Sequence, residues 1–467
     1  MKIAKRITAV VLCLVMVIAV MYTGALQHEV REKNIFSGKN SVIIWYTDEA
    51  MTDYMNAMAV AFHEEEGIRV IPQLKPGSDY LETIYDASIS GEDAPDLYII
   101  SNESLEKAYL AGLADTILDE SNKINTENYP VAALQAVTYH GEKVGYPYYF
   151  ETSALLYNKT YMMDMAKNRV EAEEEIPAKM EELIPSTFDE LLTFADEYDA
   201  PAEVEAVFKW DVADIFYNYF FIGNYMDVGG PYGDNTDEFD IYNMDAIKAM
   251  RIYQDLNQFF SIDADDVAYD SVISEFMEGK IVLTTATSDI IKKLDEAKEN
   301  GEFSYDYGLA EIPELNDELI SRSLSVTNTI VVNGFSNQKE NANRFAECLV
   351  YNHADTLYEK TGKIPSNREA AKQKPETAVF FEEYADSVPM PKMMETANFW
   401  VQLEITFAEV WNGAKVTDCL HDLSTQIMTQ ITGEEYSEEY IEYQEEETTI
   451  EYLDEEAERE AAMQEEE

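Results

Sequence analysis

The chain has 467 residues, 46% hydrophobic and 12% aromatic, enough to bury a large core in two or more lobes and unlike a disordered polymer. Lys and Arg number 33 against 92 Asp and Glu, a formal charge of -59 that repels phosphate backbones and anionic lipid and excludes nucleic acid as a partner. The last 34 residues, 434–467, hold 17 acids and the single base Arg459, so they carry -16 of that charge and the body still stands at -43.

At the N-terminus Lys2, Lys5 and Arg6 precede an apolar run from Ile7 to Met21, and Thr23-Gly-Ala25 supplies small residues at a cleavage-like spacing. Residues 1–26 read either as an export signal or, if left uncleaved, as an anchor just long enough to span a bilayer core. A polar linker, 27–40, follows. Val42-Ile-Ile-Trp45 reads as a strand, and Met51, Met55, Met58 and Phe62 mark a helix face that stops at Gly67. Ile68–Ile71 predicts a second strand. Leu81, Ile84, Tyr85 and Ser88 trace a second helix ended by Gly91, and Leu97–Ile100 predicts a third strand. This alternation argues for an α/β protein of β-α-β units on mostly parallel sheets, with ligands beyond the carboxyl ends of the strands.

Met162–Ile184 is charged and helical, and Pro185-Ser-Thr-Phe-Asp-Glu190 carries a helix-start signal. Tyr217–Tyr225 is strongly apolar. Ile281–Thr284 and Thr329–Val332 read as strands among helices, and 341–351 and 417–431 as closing helices. The tail 434–467 reads as solvated disorder.

Catalytic signatures are absent: there is no Gly-x-Ser-x-Gly, Walker loop, His-Glu-x-x-His or Gly-x-Gly-x-x-Gly, and the chain has five histidines in all. Cys13 lies in the leader, so at most Cys348 and Cys419 could pair, and two buried thiols on helices is the simpler reading. Their spacing fits no metal motif. No cofactor and no metal is expected.

A set of segments in fixed order carries a more specific signal. They are Ile43-Ile-Trp-Tyr46, Ala94-Pro-Asp-Leu-Tyr98, Gly145-Tyr-Pro147 with Glu151 and Tyr157-Asn-Lys159, Pro185–Glu190, Phe276-Met-Glu-Gly-Lys280, Tyr307–Pro313, Thr361-Gly-Lys-Ile-Pro365, and Phe399-Trp400 before Trp411-Asn-Gly413. Across residues 41–433 the chain resembles the family 1 extracellular solute-binding proteins, the maltodextrin-binding type that delivers substrate to ABC importers. The resemblance implies a two-lobed periplasmic-binding-protein-like fold, each lobe a mostly parallel sheet flanked by helices, with a multi-segment hinge crossing near Glu151, Ala310 and Thr361. Lobe 1 is then 41–150 plus 310–360, and lobe 2 is 151–309 plus 361–433.

It also implies that Glu151, at the hinge, accepts hydrogen bonds from sugar hydroxyls, that Trp400 stacks on sugar, and that Trp210 is a second cleft aromatic. Sugars present apolar faces and hydroxyls, so a cleft needs rings and fixed acceptors. Tyr146, Tyr148, Tyr149 and Phe150 are candidate walls, of which alternation lets only some face the cleft. Tyr46 and Asp48 follow the first strand and Glu103 the third. Two departures weigh against maltose itself: Thr287-Ser288-Asp289 stands where relatives place a stacking tryptophan, and Glu103-Ser104 where they place an Asp-Arg pair.

The expectation is therefore a non-catalytic, monomeric, extracytoplasmic solute-binding protein that takes a sugar or oligosaccharide and presents it to an ABC permease, secreted or held to the membrane through an uncleaved N-terminal segment. The rivals are a glycan hydrolase or lyase using Glu151 with Asp289, and a surface receptor or adhesin acting through its acidic tail.

Overall fold

The computed structural model describes residues 41–91, 93–264 and 266–443; the leader, the linker and the tail beyond 443 lie outside them. Strand β1 (Ser41–Tyr46) pairs in parallel with β2 (Arg69–Leu74) and β3 (Leu97–Ser101). Between them the helix Thr52–Glu66 buries Met55, Ala59 and Phe62 on the sheet and ends at Gly67. That residue sits at φ 71°, where a side chain would be strained, and its N–H caps the His63 carbonyl. The second helix, Tyr80–Ser90, ends the same way at Gly91.

A ribbon of β4 (Thr138–Tyr139) and β5 (Glu142–Lys143) leads into β6 (Tyr146–Asn158), whose 13 residues tie the molecule together. The second half adds β7 (Ala206–Phe208), a ribbon of β8 (Asp227–Val228) and β9 (Phe239–Asp240), β10 (Ile281–Thr287) and β11 (Tyr307–Ala310). The last strands are β12 (Leu324–Val332), β13 (Ile364–Pro365) and β14 (Val388–Pro389).

The strand order is β2-β1-β3-β12-β6-β10-β7, with β11 and β13 also on β6 and β14 on β12. The first half of β6, through Thr152, pairs with β12, and the second half, from Ser153, pairs with β10. One strand thus serves both lobes of an α/β fold. Pairing is mixed rather than mostly parallel, since β12 and β6 both run antiparallel to their main neighbours. Alternation along β6 sends Ala154 and Leu156 into one core cluster and Leu155 and Tyr157 into the other.

The passage between lobes differs from the expected one at its third crossing. After the helix Leu357–Thr361, Gly362 (φ 79°) turns the chain back so that β13 pairs with Phe150 and Tyr149. The helix Pro375–Asp386 then stacks Tyr384 flat on Phe150, 4.0 Å between centroids. Residues 361–386 therefore lie on the first half of β6, not in the second lobe. The chain goes over at about 387–396, where Asn102 Nδ2 donates to the Met390 carbonyl and Glu106 accepts from the Met394 N–H.

The first ten residues of the acidic tail are ordered against the body. Tyr440 bonds Thr417 and Asp418, the Ile441 N–H donates to the Tyr242 hydroxyl at 2.8 Å, and Ile441 and Tyr443 pack on the second core. Aromatics spaced among the acids give this stretch an apolar side that a reading of charge alone passes over. No helix among the described residues is long and apolar enough to cross a membrane.

Candidate functional site

At the point where β6 passes from one sheet to the other, a cleft of about 570 Å³ opens with walls from both lobes. Phe150, Glu151 and Val326 form its floor, and Gly362 and Lys363 come from the turn before β13. The far wall is Asp214, Phe216 and Tyr217 with Tyr269 and the Thr287–Asp289 turn that follows β10. A smaller pocket of about 310 Å³ lies over the ends of β1 and β3 and is lined by Thr47, Tyr80, Ser101 and Asn328. Asn328 joins the two, because its Nδ2 donates to Glu151 Oε1 at 3.5 Å.

The far wall follows from local sequence. Asp214 caps a 3-10 turn by accepting from the Phe216 N–H at 2.8 Å, which fixes the rings that follow it. Tyr217 then lies parallel to Tyr269, 4.5 Å between centroids and 14° between planes. Tyr269 is oriented by Thr287, whose hydroxyl shares a 2.9 Å hydrogen bond with the phenol and whose N–H donates to it at 3.2 Å. Burial raises the pKa of both phenols, so they remain neutral donors.

Burial pushes the Glu151 carboxyl above the ordinary carboxylate value; the positive charge of Lys363 works against this, while Asp289 and Asp48 add to it. Asp48 is also desolvated, but the 3.0 Å ion pair with Lys363 outweighs burial and its pKa is lowered. Burial and then the charge of Asp211 raise Asp214. The site is thus acidic, offers carboxylate acceptors at several heights, and has Lys363 as the cation in its lining. It suits an uncharged polyhydroxylated guest and disfavours an anion.

Glu151 and Asp289 line this cleft, and Asp48 reaches it through Lys363. Asp289 accepts from the Thr287 hydroxyl. Glu103 is exposed and bonded to Ser101 beside the smaller pocket. Tyr46 is 2% exposed, its hydroxyl donating to Thr52.

Tyr148 and Trp210 do not belong to the cleft. Tyr148 is fully buried in the first core, at a bulge where the pairing of β6 with β12 slips and regular alternation is interrupted. Trp210 is completely buried, stacked on Phe208 at 4.6 Å and set edge-on to Trp411, with its Nε1–H donating to Asn218. Of the other rings of β6, Tyr146 bonds Asn343 and Tyr149 lies under Lys363, while Phe150 lines the cleft floor with Tyr384 stacked on it. Trp400 is half-buried against Tyr219 and Phe399 and is not among the residues that line the cleft.

Sequence reasoning missed Phe216, Tyr217, Tyr269 and Lys363. The Asp-Ile-Phe-Tyr order at 214–217 is a capping signal that could have separated Tyr217 from the apolar patch after it; nothing local marks Tyr269. Two rings, Tyr217 and Tyr269, stand over the Thr287–Asp289 turn.

Two lobes sharing a strand, with an aromatic and carboxylate cleft at the crossing, define a protein built to close on a small solute. The chain belongs to the bacterial extracellular solute-binding proteins, whose family profile matches residues 57–385. A maltooligosaccharide ABC transporter solute-binding lipoprotein of Streptococcus pneumoniae is 23% identical over 383 residues, 79% of this chain and 84% of the relative. Among solved structures, the extracellular solute-binding protein of Staphylococcus aureus in complex with maltose superposes with a TM-score of 0.71 at 18% identity, covering 85% of this chain and 99% of its own. A cyclo/maltodextrin-binding protein complexed with maltotetraose gives 0.70 at 21% identity, covering 85% and 98%.

Proposed function

We propose that this protein captures an uncharged sugar or oligosaccharide in the cleft around Glu151 and presents the closed form to an ABC permease. The observation that carries the reading is the parallel Tyr217–Tyr269 pair standing across from the hinge carboxylate. A pyranose face packs on the half-buried Tyr269 ring, and its hydroxyls find Glu151, Asp289 and Asp214 as acceptors and the phenols and Lys363 as donors. The relatives that bind maltooligosaccharides support the ligand class. Ligand binding favours the closed arrangement, and the permease reads occupancy as shape.

We infer further that the protein acts as a monomer without catalysis, outside the cytoplasm, either released or held by residues 1–26. Titration of residues 38–443 with linear maltooligosaccharides and other neutral sugars, followed by calorimetry and small-angle scattering, tests the proposal. Saturable binding with a smaller radius of gyration is expected. A panel that gives neither overturns the sugar reading, and release of shortened oligosaccharides overturns the non-catalytic one.

A further inference from the structure

In the first lobe, outside the cleft lining, the end of the helix Thr52–Glu66 meets the end of the helix Lys339–Glu347, where Phe62 packs on Phe345. Here the chain leaves α geometry: Cys348–Asn352 is a π turn, closed by the His353 N–H donating to the Cys348 carbonyl at 2.9 Å. A π turn aligns residues five apart, and such turns occur disproportionately at functional positions. It brings Cys348 and His353 to one face, and Glu65 arrives from the neighbouring helix. One thiol, one imidazole and one carboxylate atom all lie within 4.8 Å of one another.

His353 Nε2 is 3.2 Å from Glu65 Oε1. Two ligands bonded at about 2.0–2.1 Å to a tetrahedral ion stand about 3.3 Å apart, so this edge is already formed. The backbone under the imidazole is fixed, since the His353 carbonyl accepts from Tyr54, from the Thr356 hydroxyl and from the Thr356 N–H. Burial grades outward, with Cys348 1% exposed, His353 partly exposed and Glu65 open to solvent, which leaves an entry path. The buried hydroxyl of Tyr148 lies near Tyr54 and Cys348. A Glu65–His353 ion pair alone would explain the short edge but not the thiol beside it.

We propose that Cys348, His353 and Glu65 bind a single divalent cation of borderline softness, with Zn²⁺ the best match and water completing the tetrahedron. A sulfur, nitrogen and oxygen set selects against Ca²⁺ and Mg²⁺, which take oxygen ligands. The sulfur–metal bond forms as the S–H bond breaks, with the proton passing to solvent. The ion would pin the helix Thr52–Glu66 to the turn at 348–353, a staple within the first lobe that leaves the cleft untouched.

The test uses the full chain freed of metal, titrated with Co²⁺ and then Zn²⁺. A cobalt–thiolate charge-transfer band at one equivalent, abolished by Zn²⁺, and release of about one proton per ion are expected. His353→Asn and Glu65→Gln, both at the accessible side of the site, should each weaken Zn²⁺ binding at least tenfold, and Cys348→Ser should lose the band. Should Cys348→Ser fail to fold, the other two variants decide. Absence of the band in the parent chain, or Zn²⁺ affinity unchanged in His353→Asn and Glu65→Gln, overturns the site.

Discussion

Glu383 offers a quantitative test of how the chain between the lobes is held. It lies on the helix Pro375–Asp386 and accepts from the Ile312 N–H and from the Ser323 hydroxyl, so one carboxyl pins both ends of the crossing segment that joins β11 to β12. Burial raises its pKa from 4.5 to about 8, the two hydrogen bonds opposing the shift and Glu311 and Glu314 adding to it. Because the folded value is the higher, the folded state holds the proton over this interval and stability falls as pH rises through it. Linkage between the two values gives a loss of about 3 kcal/mol from pH 4 to pH 7. Glu383→Gln keeps an acceptor for Ile312 and removes the titration. Urea unfolding of both proteins at half-unit steps from pH 4 to pH 9 isolates the effect, since other groups cancel in the difference. The variant should gain on the parent by about 3 kcal/mol by pH 7 and little beyond pH 8; a flat difference would refute the buried-acid account.

Tyr217→Ala and Tyr269→Ala should each weaken the sugar found by the panel by about three- to tenfold in calorimetric titration, the range for loss of a stacked ring. Trp210→Ala, in contrast, should cost about 3–5 kcal/mol in denaturant unfolding and leave ligand affinity unchanged, because that ring packs core rather than cleft. Lys363→Met should raise the Asp48 pKa, read by NMR titration. The acid-side stability that Asp48 contributes, present above its unfolded pKa and lost as pH falls, should disappear with it. Ending the chain at Gly433 should lower stability by on the order of 2 kcal/mol through loss of Ile441 and Tyr443 packing, without changing affinity.

Elements with strong local signals were legible in the sequence. The first three strands and the two helices between them fall where hydrophobic period and the terminal glycines Gly67 and Gly91 put them. Thr187, whose hydroxyl accepts from the Glu190 N–H, starts its helix as the motif requires. Glu151 came from the ordered segments and Asp289 from the departure at Thr287-Ser288-Asp289, and both line the cleft. What escaped depends on contacts distant in sequence. Nothing in Tyr-Pro-Tyr-Tyr-Phe distinguishes a core ring from one in the cleft lining, so Tyr148 and Phe150 read alike until the first is seen buried in the core and the second in the cleft floor with Tyr384 stacked on it. Tyr269 becomes part of a wall only because Tyr217, over 50 residues earlier, lies flat on it. The route at 361–396 was misplaced because a Gly-turn followed by two strand residues has no local mark of which sheet it will join.

The uninterrupted backbone of β6 limits what motion this molecule has. A ladder that continues from one sheet into the next can flex and twist about its middle, but sliding would break hydrogen bonds along thirteen residues at once. Any swing of the outer walls therefore pivots close to Thr152, and the side chain just before it is displaced least. Glu151, with Lys363 held beside it by the pairing of β13, then serves as a stationary reference toward which Tyr217 on the far wall travels.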